Sequence, residues 1–558
     1  MRFLTTRRSN HAGATFFTAL IEGLAPDGGL YVPETIEPWP AHELARLPER
    51  TLTEVAYRVL RPYVREELDA TTFEAVVVEA LNFPIPLVQV EPGIYALELF
   101  HGPTLAFKDV GARTMARLMA SLDTGDEPLT ILAATSGDTG SAVAHAFYRV
   151  PHTRVVVLYP EGRVSPTQEA QLTMFNAADA NVRAYAVAGS FDDCHHLARD
   201  AFGDAEIRRH VRLTSANSVN IGRLLPQMVY YFHAAAELVR SRSNDDAFAE
   251  GKADRRRSGS WSGRPTVTMC TPSGNFGNLT AGLLARRAGL PVERFVAATN
   301  VNDVVPEYLT TGLFKPRPSV HTIANAMDVG NPSNFERMLW LYGNDVEAMR
   351  RDIAGVCFDD RQVRETIATV YRERGYLLDP HSAIAYLGLR SYMRRAGRSG
   401  RVGIFLATAH PAKFAEIVEP IIGRSIDTPK ALADAFARPR NVLKLDRSLA
   451  AVKDALGAWR PLPISAGGDR AALAARRSPD ASKRSANGPQ LRARPLQVRD
   501  STASRTVPST GILEERILRS RRPASPPVSR ARASAARVRG VTSGSGPAVV
   551  AMRGHRKG

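Results

Sequence analysis

The sequence predicts an α/β protein built from parallel sheets that are covered by helices on both faces. Between about residues 91 and 430, short apolar runs typical of strands alternate with longer amphipathic segments typical of helices. The strand-like runs include YALELF, LTILAAT, RVVVLYP, TVTMCTP, RFVAATN and VGIFLATA. Glycine-rich strings follow several of these runs, at the strand ends where open parallel sheets bind their ligands.

The length of 558 residues allows two or more domains. We expect a small N-terminal domain over residues 1–90, where GLAPDGGLYVPE predicts a turn and a short strand and LTEVAYRVLRPYV predicts a helix. A catalytic domain is expected over residues 91–460. The polar, Gly/Ser-rich stretch at 242–264 predicts a mobile surface insertion in that domain.

The formal net charge of +17 is concentrated in a C-terminal tail, residues 464–558. This tail contains 20 Lys and Arg against 5 Asp and Glu, and no aromatic residue follows Trp459. So few apolar groups cannot offset the entropy lost on ordering, and we therefore expect the tail to be disordered. Because aromatic rings for base stacking are absent, its charge predicts at most salt-sensitive, sequence-blind contact and no specific nucleic-acid binding. A tail without any function is an open alternative.

The composition also limits location and metal chemistry. The apolar fraction of 44% with 7% aromatics is typical of a soluble globular protein. No run of about 20 uncharged apolar residues is present, and the N-terminus lacks the pattern of a secretory signal, so we expect a cytoplasmic protein without a membrane segment. Cys194, Cys270 and Cys357 show no CxxC spacing, so the sequence predicts neither a disulfide framework nor a metal site.

The string LELFHGPTLAFKDVGAR at residues 97–113 contains a candidate nucleophile, Lys108. This lysine follows a strand and a Gly-Pro turn and lies at the start of a predicted helix. The positive end of the helix dipole can favour the neutral, nucleophilic amine. By pattern alone, however, a lysine at a helix start is more often an exposed residue.

Two further strings, at residues 131–147 and 266–289, each predict a strand, a glycine-bearing loop and a helix. They read ILAATSGDTGSAVAHAF and TVTMCTPSGNFGNLTAGLLARRAG. Free backbone N–H groups at such a helix start form an anion site, and Gly274 and Gly277 would let the backbone approach a phosphate. An ordinary capped helix gives the same pattern, so neither loop identifies its ligand alone.

Taken together, these strings resemble the threonine synthase family, which is part of the β-family (fold type II) of pyridoxal-phosphate enzymes. The resemblance runs from about residue 1 to 460 and includes SANSVNIGRLLPQ, ATNVNDVVPEYL, NAMDVGNPSNFER, LLDPHSAIAY and IFLATAHPAKF. It implies two open-sheet α/β lobes with pyridoxal 5'-phosphate between them. The implied reaction converts O-phospho-L-homoserine and water to L-threonine and phosphate by γ-elimination and β-addition. Another lyase of the β-family, such as a serine or threonine dehydratase, is the alternative, although it would need no site for a γ-phosphate.

The resemblance also implies roles for individual residues. Lys108 would carry the cofactor and later transfer protons. The cofactor would be bound by Ser273, Gly274, Asn275, Phe276, Gly277 and Thr408. The substrate would be bound by Thr135, Ser136, Gly137, Thr139, Asn217, Ser218 and Arg223.

Within this set, the loop at 135–139 would bind the substrate carboxylate, and Arg223 would bind the substrate phosphate, since a guanidinium matches phosphate oxygens in pairs. A purely structural role for Arg223 stays open. Asp138 stands where many β-family members have Asn, which leaves the partner of the cofactor's phenolic oxygen open. The sequence assigns no chemical step to Asp328 or His381, and it does not predict the oligomeric state.

Overall fold

The computed structural model describes residues 1–7, 13–177, 179–250, 266–397 and 401–457. The tail at 464–558, expected to be disordered, lies outside the described residues. No helix in the described part of the chain is long and apolar enough to cross a lipid bilayer.

The N-terminal part combines a two-stranded antiparallel sheet with four helices. Its elements are β1 (Phe3–Thr5), α1 (Phe16–Glu22), β2 (Tyr31–Pro33), α2 (Ala41–Ala45), α3 (Leu52–Val64) and α4 (Ala70–Ala80). The predicted strand and the predicted helix correspond to β2 and α3. Helix α3 begins with a capping box, in which the Thr51 side chain accepts from the Glu54 N–H and the Glu54 carboxylate accepts from the Thr51 N–H.

Strands and helices alternate through residues 87–250. In chain order they are β3 (Leu87–Glu91), β4 (Ile94–Glu98), α5 (Lys108–Leu122), β5 (Leu129–Ala134), α6 (Asp138–Phe147), β6 (Thr153–Pro160), α7 (Pro166–Thr173), β7 (Val182–Val187), α8 (Phe191–Gly203), α9 (Ala205–His210), β8 (Arg212–Ser215), α10 (Ile221–Leu224) and α11 (Met228–Glu250).

The last of these helices corrects one prediction. Helix α11 continues to Glu250, so residues 242–250 of the expected 242–264 loop are helical. Extending an existing helix needs no new nucleation, which allows a polar stretch to continue it. Residues 251–264 of the expected insertion lie outside the described residues.

The alternation continues from residue 266 to residue 457. The elements are β9 (Thr266–Pro272), α12 (Gly277–Arg287), β10 (Arg294–Thr299), α13 (Val304–Thr311), α14 (Phe335–Leu341), α15 (Val346–Asp352), β11 (Ile353–Cys357), α16 (Asp360–Arg374), α17 (Pro380–Ala396), β12 (Arg401–Ala407), α18 (Ala415–Ile422), α19 (Lys430–Phe436), β13 (Leu443–Leu445) and α20 (Leu449–Gly457). Short 3-10 helices lie at Leu47–Glu49, Leu225–Gln227, Asn325–Met327 and Pro411–Phe414.

Two open sheets with the helices that cover them form the larger part of the described chain, which confirms the predicted α/β class. The six-stranded sheet has the order β11-β10-β9-β12-β4-β3 and is parallel except for the antiparallel β3–β4 pair at its edge. The five-stranded sheet has the order β13-β7-β6-β5-β8 and is parallel throughout. Every residue of β5 is buried, as expected for a strand that is covered on both faces.

The carboxyl ends of five strands supply the candidate site. Strands β4, β9 and β12 of the larger sheet lead into the loops that contain Lys108, the 273–277 segment and Thr408. Strands β5 and β8 of the smaller sheet lead into the 135–139 loop and the segment before Arg223. The topology therefore places all the predicted site segments at strand ends, where parallel sheets bind ligands.

Candidate active site

Lys108 is the first residue of α5 and follows the loop at the carboxyl end of β4. Two backbone hydrogen bonds fix this loop to the one after β12. The Phe107 N–H donates to the Thr408 carbonyl at 2.9 Å, and the His410 N–H donates to the Leu105 carbonyl at 3.0 Å. The Lys108 side chain is only 14% exposed. This lysine is therefore enclosed by the protein, unlike an ordinary lysine at a helix start.

The surroundings of Lys108 favour its neutral form. Burial lowers the pKa of Lys108 to about 8, and the positive charges of Lys413 and Arg223 act in the same direction. Asp138 opposes them, with its Oδ2 atom 3.7 Å from the lysine Nζ. With such a pKa, about a tenth of the amine is unprotonated at neutral pH, which suits a nucleophile and base.

Asp138, the first residue of α6, is buried between two lysines. Its Oδ1 atom lies 2.7 Å from Nζ of Lys413, a fully buried lysine, and accepts from Nε2 of Gln168 at 3.0 Å. Burial acts to raise the pKa of Asp138, but Lys413 and Lys108 outweigh burial and hold this pKa well below its usual range. Asp138 is therefore a fixed negative charge. The sequence predicts no role for Lys413, which stands out only as a lysine within the apolar string IFLATAHPAKF.

The residues of the 135–139 loop that are predicted to bind the substrate fall into two groups: those that shape the loop and those that are available to a ligand. The Thr135 hydroxyl accepts from the N–H groups of Gly137 at 2.9 Å and Gly140 at 2.8 Å, so it shapes the loop from within. Gly137 has a φ of 129°, a conformation that side chains disfavour. Ser136 and Thr139 are half-buried. These two hydroxyls, with the loop backbone, are thus available to a bound anion.

The 273–277 loop forms a cradle at the start of α12. A Cβ atom at Gly274 would lie 2.8 Å from the Ala326 carbonyl oxygen and 2.8 Å from the Met327 Cα, so this close backbone approach needs glycine. Phe276 adopts a left-handed conformation with φ of 59° and provides no side-chain cap for the helix. Ser273 is buried, with its hydroxyl 2.9 Å from the Thr271 hydroxyl. An uncapped helix start behind a glycine turn suits a phosphate group.

Asn275 joins this cradle to the segment after β8. Its Nδ2 donates to the Ser218 hydroxyl at 2.6 Å, and its Oδ1 accepts from the Ser333 N–H at 2.5 Å. Asn334 donates to the Ser218 carbonyl at 3.3 Å. Beside them, Oδ1 of Asn217 is buried and has no hydrogen-bond partner among the described residues. The predicted cofactor loop and the predicted substrate segment are therefore in direct contact.

Arg223, in the short helix α10, is a buried cation without a carboxylate partner among the described residues. It is 3% exposed, and its Nη1 donates to the Ala216 carbonyl at 2.7 Å. Its Nε is buried and has no acceptor in the described part of the chain. A Cβ atom at Gly111 of α5 would lie 3.1 Å from this Nε, so the glycine makes room for the guanidinium. Burial lowers the pKa of Arg223 to about 10, which still leaves it charged at neutral pH.

Thr408 and His381 line the side of the site formed by the larger sheet. Thr408 is 5% exposed, and its N–H donates to the Ser382 hydroxyl at 3.3 Å. The Ala326 N–H donates to Nε2 of His381 at 3.2 Å, so the ring proton belongs on Nδ1, which lies 2.8 Å from Oδ1 of Asp379. His381 therefore holds the turn that faces Gly274, which is a structural role.

Asp328 organises a neighbouring loop. Its carboxylate accepts from the Thr322 N–H at 3.0 Å, from the Thr322 hydroxyl at 2.7 Å and from Nδ2 of Asn300 at 2.8 Å. These contacts occupy the carboxylate with its own loop. They favour a structural role for Asp328.

The arrangement fits pyridoxal 5'-phosphate. A buried lysine with a lowered pKa can bond to an aldehyde, and the glycine cradle at the start of α12 can bind a phosphate. Arg223, a further buried cation whose Nε has no acceptor among the described residues, offers a second place for a phosphate.

Comparisons with known proteins agree with this geometry. The family model described as "Pyridoxal-phosphate dependent enzyme" matches residues 78–407. The models described as "Threonine synthase N terminus" and "Threonine synthase, C-terminal" match residues 2–81 and 382–456.

Relatives and solved structures give the same result. The threonine synthase of Haemophilus influenzae is 44% identical over 418 residues, which are 75% of this chain and 91% of that protein. The crystal structure of threonine synthase from Escherichia coli superposes with a TM-score of 0.72 at 39% identity, covering 82% of this chain and 100% of that chain. The structure of pyridoxal-phosphate-bound threonine synthase from Brucella melitensis superposes with a TM-score of 0.72 at 35% identity, covering 82% of this chain and 98% of that chain.

Proposed function

From the premise that the chain belongs to the threonine synthase family of pyridoxal-phosphate-dependent lyases, we propose that it converts O-phospho-L-homoserine and water to L-threonine and phosphate, with Lys108 as the central catalytic residue. Membership in this family makes the chain an enzyme of threonine biosynthesis. The substrate and the roles of individual residues are the parts that we propose.

The buried guanidinium of Arg223, which forms no ion pair among the described residues, supports the proposal that the substrate is phosphorylated. The cofactor has one phosphate, and the cradle at 273–277 suits it. The Asp109 carboxyl acts on Arg223 electrostatically but forms no ion pair with it, and a buried cation without such a pair is costly unless an anion joins it. Since Nη1 is used by the Ala216 carbonyl, the free Nε and the adjacent Nη2 form the edge that would bind the substrate phosphate. A dehydratase that acts on serine or threonine has no such group to bind.

The cofactor would be held at three points. Lys108 would bond to its aldehyde carbon, the loop at 273–277 would bind its phosphate, and the Thr408 hydroxyl would face its ring nitrogen. When bound, pyridoxal phosphate withdraws electrons from the α- and β-carbons of the amino acid and makes their protons acidic. A hydroxyl partner does not force the ring nitrogen to stay protonated as a carboxylate would, so Lys108 must manage more of the proton transfer.

Substrate binding would then release Lys108 to act as a base. The hydroxyls of Ser136 and Thr139, with the N–H groups of their loop, would hold the substrate carboxylate. The freed Nζ of Lys108 would remove a proton from the α-carbon and then one from the β-carbon. As phosphate leaves the γ-carbon, Arg223 would stabilise its growing negative charge. After phosphate has left, Lys108 would return a proton to the γ-carbon, which becomes the methyl group. Water would then add its hydroxyl at the β-carbon, and Lys108 would return a proton to the α-carbon to complete threonine.

Burial of the site protects these steps from bulk water. Lys108 and Arg223 are 14% and 3% exposed, so the reacting groups lie in a site from which most water is excluded. Exclusion of water strengthens the charge interactions and limits premature addition.

The remaining expectations are part of the same proposal. The domain division at residues 1–90 and 91–460 is supported by the family matches at 2–81 and 78–407. A cytoplasmic location is supported by three cysteines that form no disulfide.

Product analysis with two kinds of substrate tests the proposal. We expect O-phospho-L-homoserine to give threonine and phosphate in equal amounts, and L-serine and L-threonine to give little 2-oxo acid. Faster formation of 2-oxo acid from serine or threonine would favour the dehydratase alternative and contradict the assignment of Arg223.

A further inference from the structure

Two buried lysines share one carboxylate at the centre of the site. Oδ1 of Asp138 lies 2.7 Å from Nζ of Lys413, whereas its Oδ2 lies 3.7 Å from Nζ of Lys108. Asp138 thus forms a close ion pair with Lys413 and a longer contact with Lys108. Lys413 has no exposed side-chain surface, and it reaches Asp138 from the 3-10 helix Pro411–Phe414.

Additional hydrogen bonds keep Lys413 and Asp138 together. Nζ of Lys413 also donates to the Thr104 carbonyl at 3.0 Å, in the loop just before Lys108. Nε2 of Gln168 donates to the same Oδ1 atom that Lys413 binds. The Asp138 carboxylate is therefore turned towards Lys413 by two donors, which leaves Oδ2 on the side of Lys108.

The charged groups around Lys108 come from several elements. Asp138 faces it from α6, Lys413 from the 3-10 helix and Arg223 from α10. His381 of α17 lies near Asp138, and the buried carboxyl of Asp109 follows Lys108 on α5. If Lys413 were absent, Asp138 would be free to pair closely with Lys108. A close opposite charge favours the protonated amine, which is neither a nucleophile nor a base.

We propose that Lys413 is a positioning residue of the reaction: it binds Asp138, keeps this carboxylate from pairing closely with Lys108, and so leaves the Lys108 amine free to lose its proton. The inference rests on the proposed role of Lys108 as the lysine that carries the cofactor. Under this proposal, Lys413 contacts neither the α-carbon nor the β-carbon of the substrate and acts only through Asp138.

Competitive labelling of the lysines tests this proposal directly. The full-length chain, freed of cofactor, is treated with acetic anhydride over the pH range in which lysines titrate, and the labelled peptides are quantified by mass spectrometry. Lys430, whose side chain is 86% exposed, is the internal reference. Lys413→Met keeps the length of the side chain and removes its charge. We expect this variant to raise the pKa of Lys108 by about one pH unit, which means about tenfold less labelling of Lys108 below that pKa.

A matched control and a second comparison separate this effect from damage to the fold. Lys444→Met removes a lysine from an exposed ion pair with Glu161 of the same 2.7 Å length, and it should leave Lys108 unchanged. Asp138→Asn should lower the pKa of Lys108, because it removes the only opposing charge within 4 Å among the described residues. Adding Lys413→Met to Asp138→Asn should change that pKa much less than Lys413→Met does alone, because no carboxylate remains for Lys413 to hold away from Lys108. If the single Lys413 variant does not fold, the double variant, which removes both charges of the buried pair, still decides: a rise of about one pH unit relative to Asp138→Asn would show that Lys413 acts on Lys108 directly by its charge.

The two comparisons decide the matter. An unchanged or lowered pKa of Lys108 in folded Lys413→Met, or a rise of about one pH unit when Lys413→Met is added to Asp138→Asn, would overturn the positioning role. Labelling reports on the lysines without substrate or cofactor. The positioning role can therefore fail while Lys108 still carries the cofactor, as detected by borohydride trapping and peptide mapping.

Discussion

Replacement of Arg223 by alanine removes the group that is proposed to bind the substrate phosphate, and it also removes one of the positive charges that lower the pKa of Lys108. The guanidinium is 3% exposed and forms no ion pair among the described residues, although the charge of the Asp109 carboxyl acts on it, against the burial that lowers the pKa of Arg223. Its Nε lacks an acceptor, and only the Ala216 carbonyl uses Nη1. The variant therefore loses one internal hydrogen bond and the whole substrate-binding edge.

The expected loss follows from these contacts. A charge-assisted pair of hydrogen bonds in a site shielded from water is worth about 2–4 kcal/mol, or about 30- to 1000-fold in kcat/KM. The KM for O-phospho-L-homoserine should rise. The rate of phosphate loss should fall, because negative charge grows on the leaving group. Arg223→Lys should recover only part of the loss, since it keeps the charge but not the planar fork.

Initial rates of phosphate release, measured with saturating pyridoxal phosphate, provide the assay. Cofactor absorbance should stay intact in Arg223→Ala, because the cradle at 273–277 contacts the substrate segment through Ser218 and not through Arg223. Arg113→Ala is the matched control: this arginine is 7% exposed, but it donates to the carbonyls of Ala80 and Glu79 and to the Asn82 side chain, away from the substrate segment. Its loss should lower the melting temperature without a selective rise in KM. Wild-type kcat/KM in Arg223→Ala would refute the assignment of the substrate phosphate to this residue.

Three further predictions concern the cofactor and the tail. Gly274→Ala should weaken pyridoxal-phosphate binding, measured by fluorescence titration, because its Cβ would meet the Ala326 carbonyl at 2.8 Å; Gly203→Ala, which meets nothing within 4 Å, is the control, and equal affinities would contradict the cradle. The rate at which the cofactor attaches to Lys108 should rise with pH and level off above about pH 8, because only the neutral amine reacts; a rate that still climbs above pH 10, as for an exposed lysine, would show that burial does not lower this pKa. Removal of residues 464–558 should leave turnover nearly unchanged in a steady-state assay, since the family matches end at residue 456; a large loss in a folded truncated protein would assign the tail a role.

The sequence predicts those parts of the fold in which a local pattern reports burial directly. Strands such as β5, buried along their whole length, read as continuous apolar runs, and their positions agree with the prediction. The strand-like runs named as examples correspond to β4, β5, β6, β9, β10 and β12; the edge strands β11 and β13, which are partly exposed, are not among them, and neither is the interior strand β7. The expected loop at 242–264 begins too early, because a polar stretch can continue an existing helix.

The candidate site is predictable as a set of loops but not as a set of contacts. The string around Lys108 indicates a nucleophile, yet the shared carboxylate of Asp138 and Lys413 joins segments that lie far apart in the sequence. The same limit applies within a loop. Thr135 and Thr139 look alike in TSGDTG, but the structure uses the Thr135 hydroxyl to hold the loop and leaves Thr139 half-buried.

The most direct test of the proposed reaction is to run it in water labelled with heavy oxygen. Elimination of phosphate from the γ-carbon followed by addition of water at the β-carbon predicts one heavy oxygen in the threonine hydroxyl and none in the released phosphate, as read by mass spectrometry. Both products should be lost in Lys108→Ala. Heavy oxygen in the phosphate, together with unlabelled homoserine, would show simple hydrolysis at phosphorus and would contradict the account.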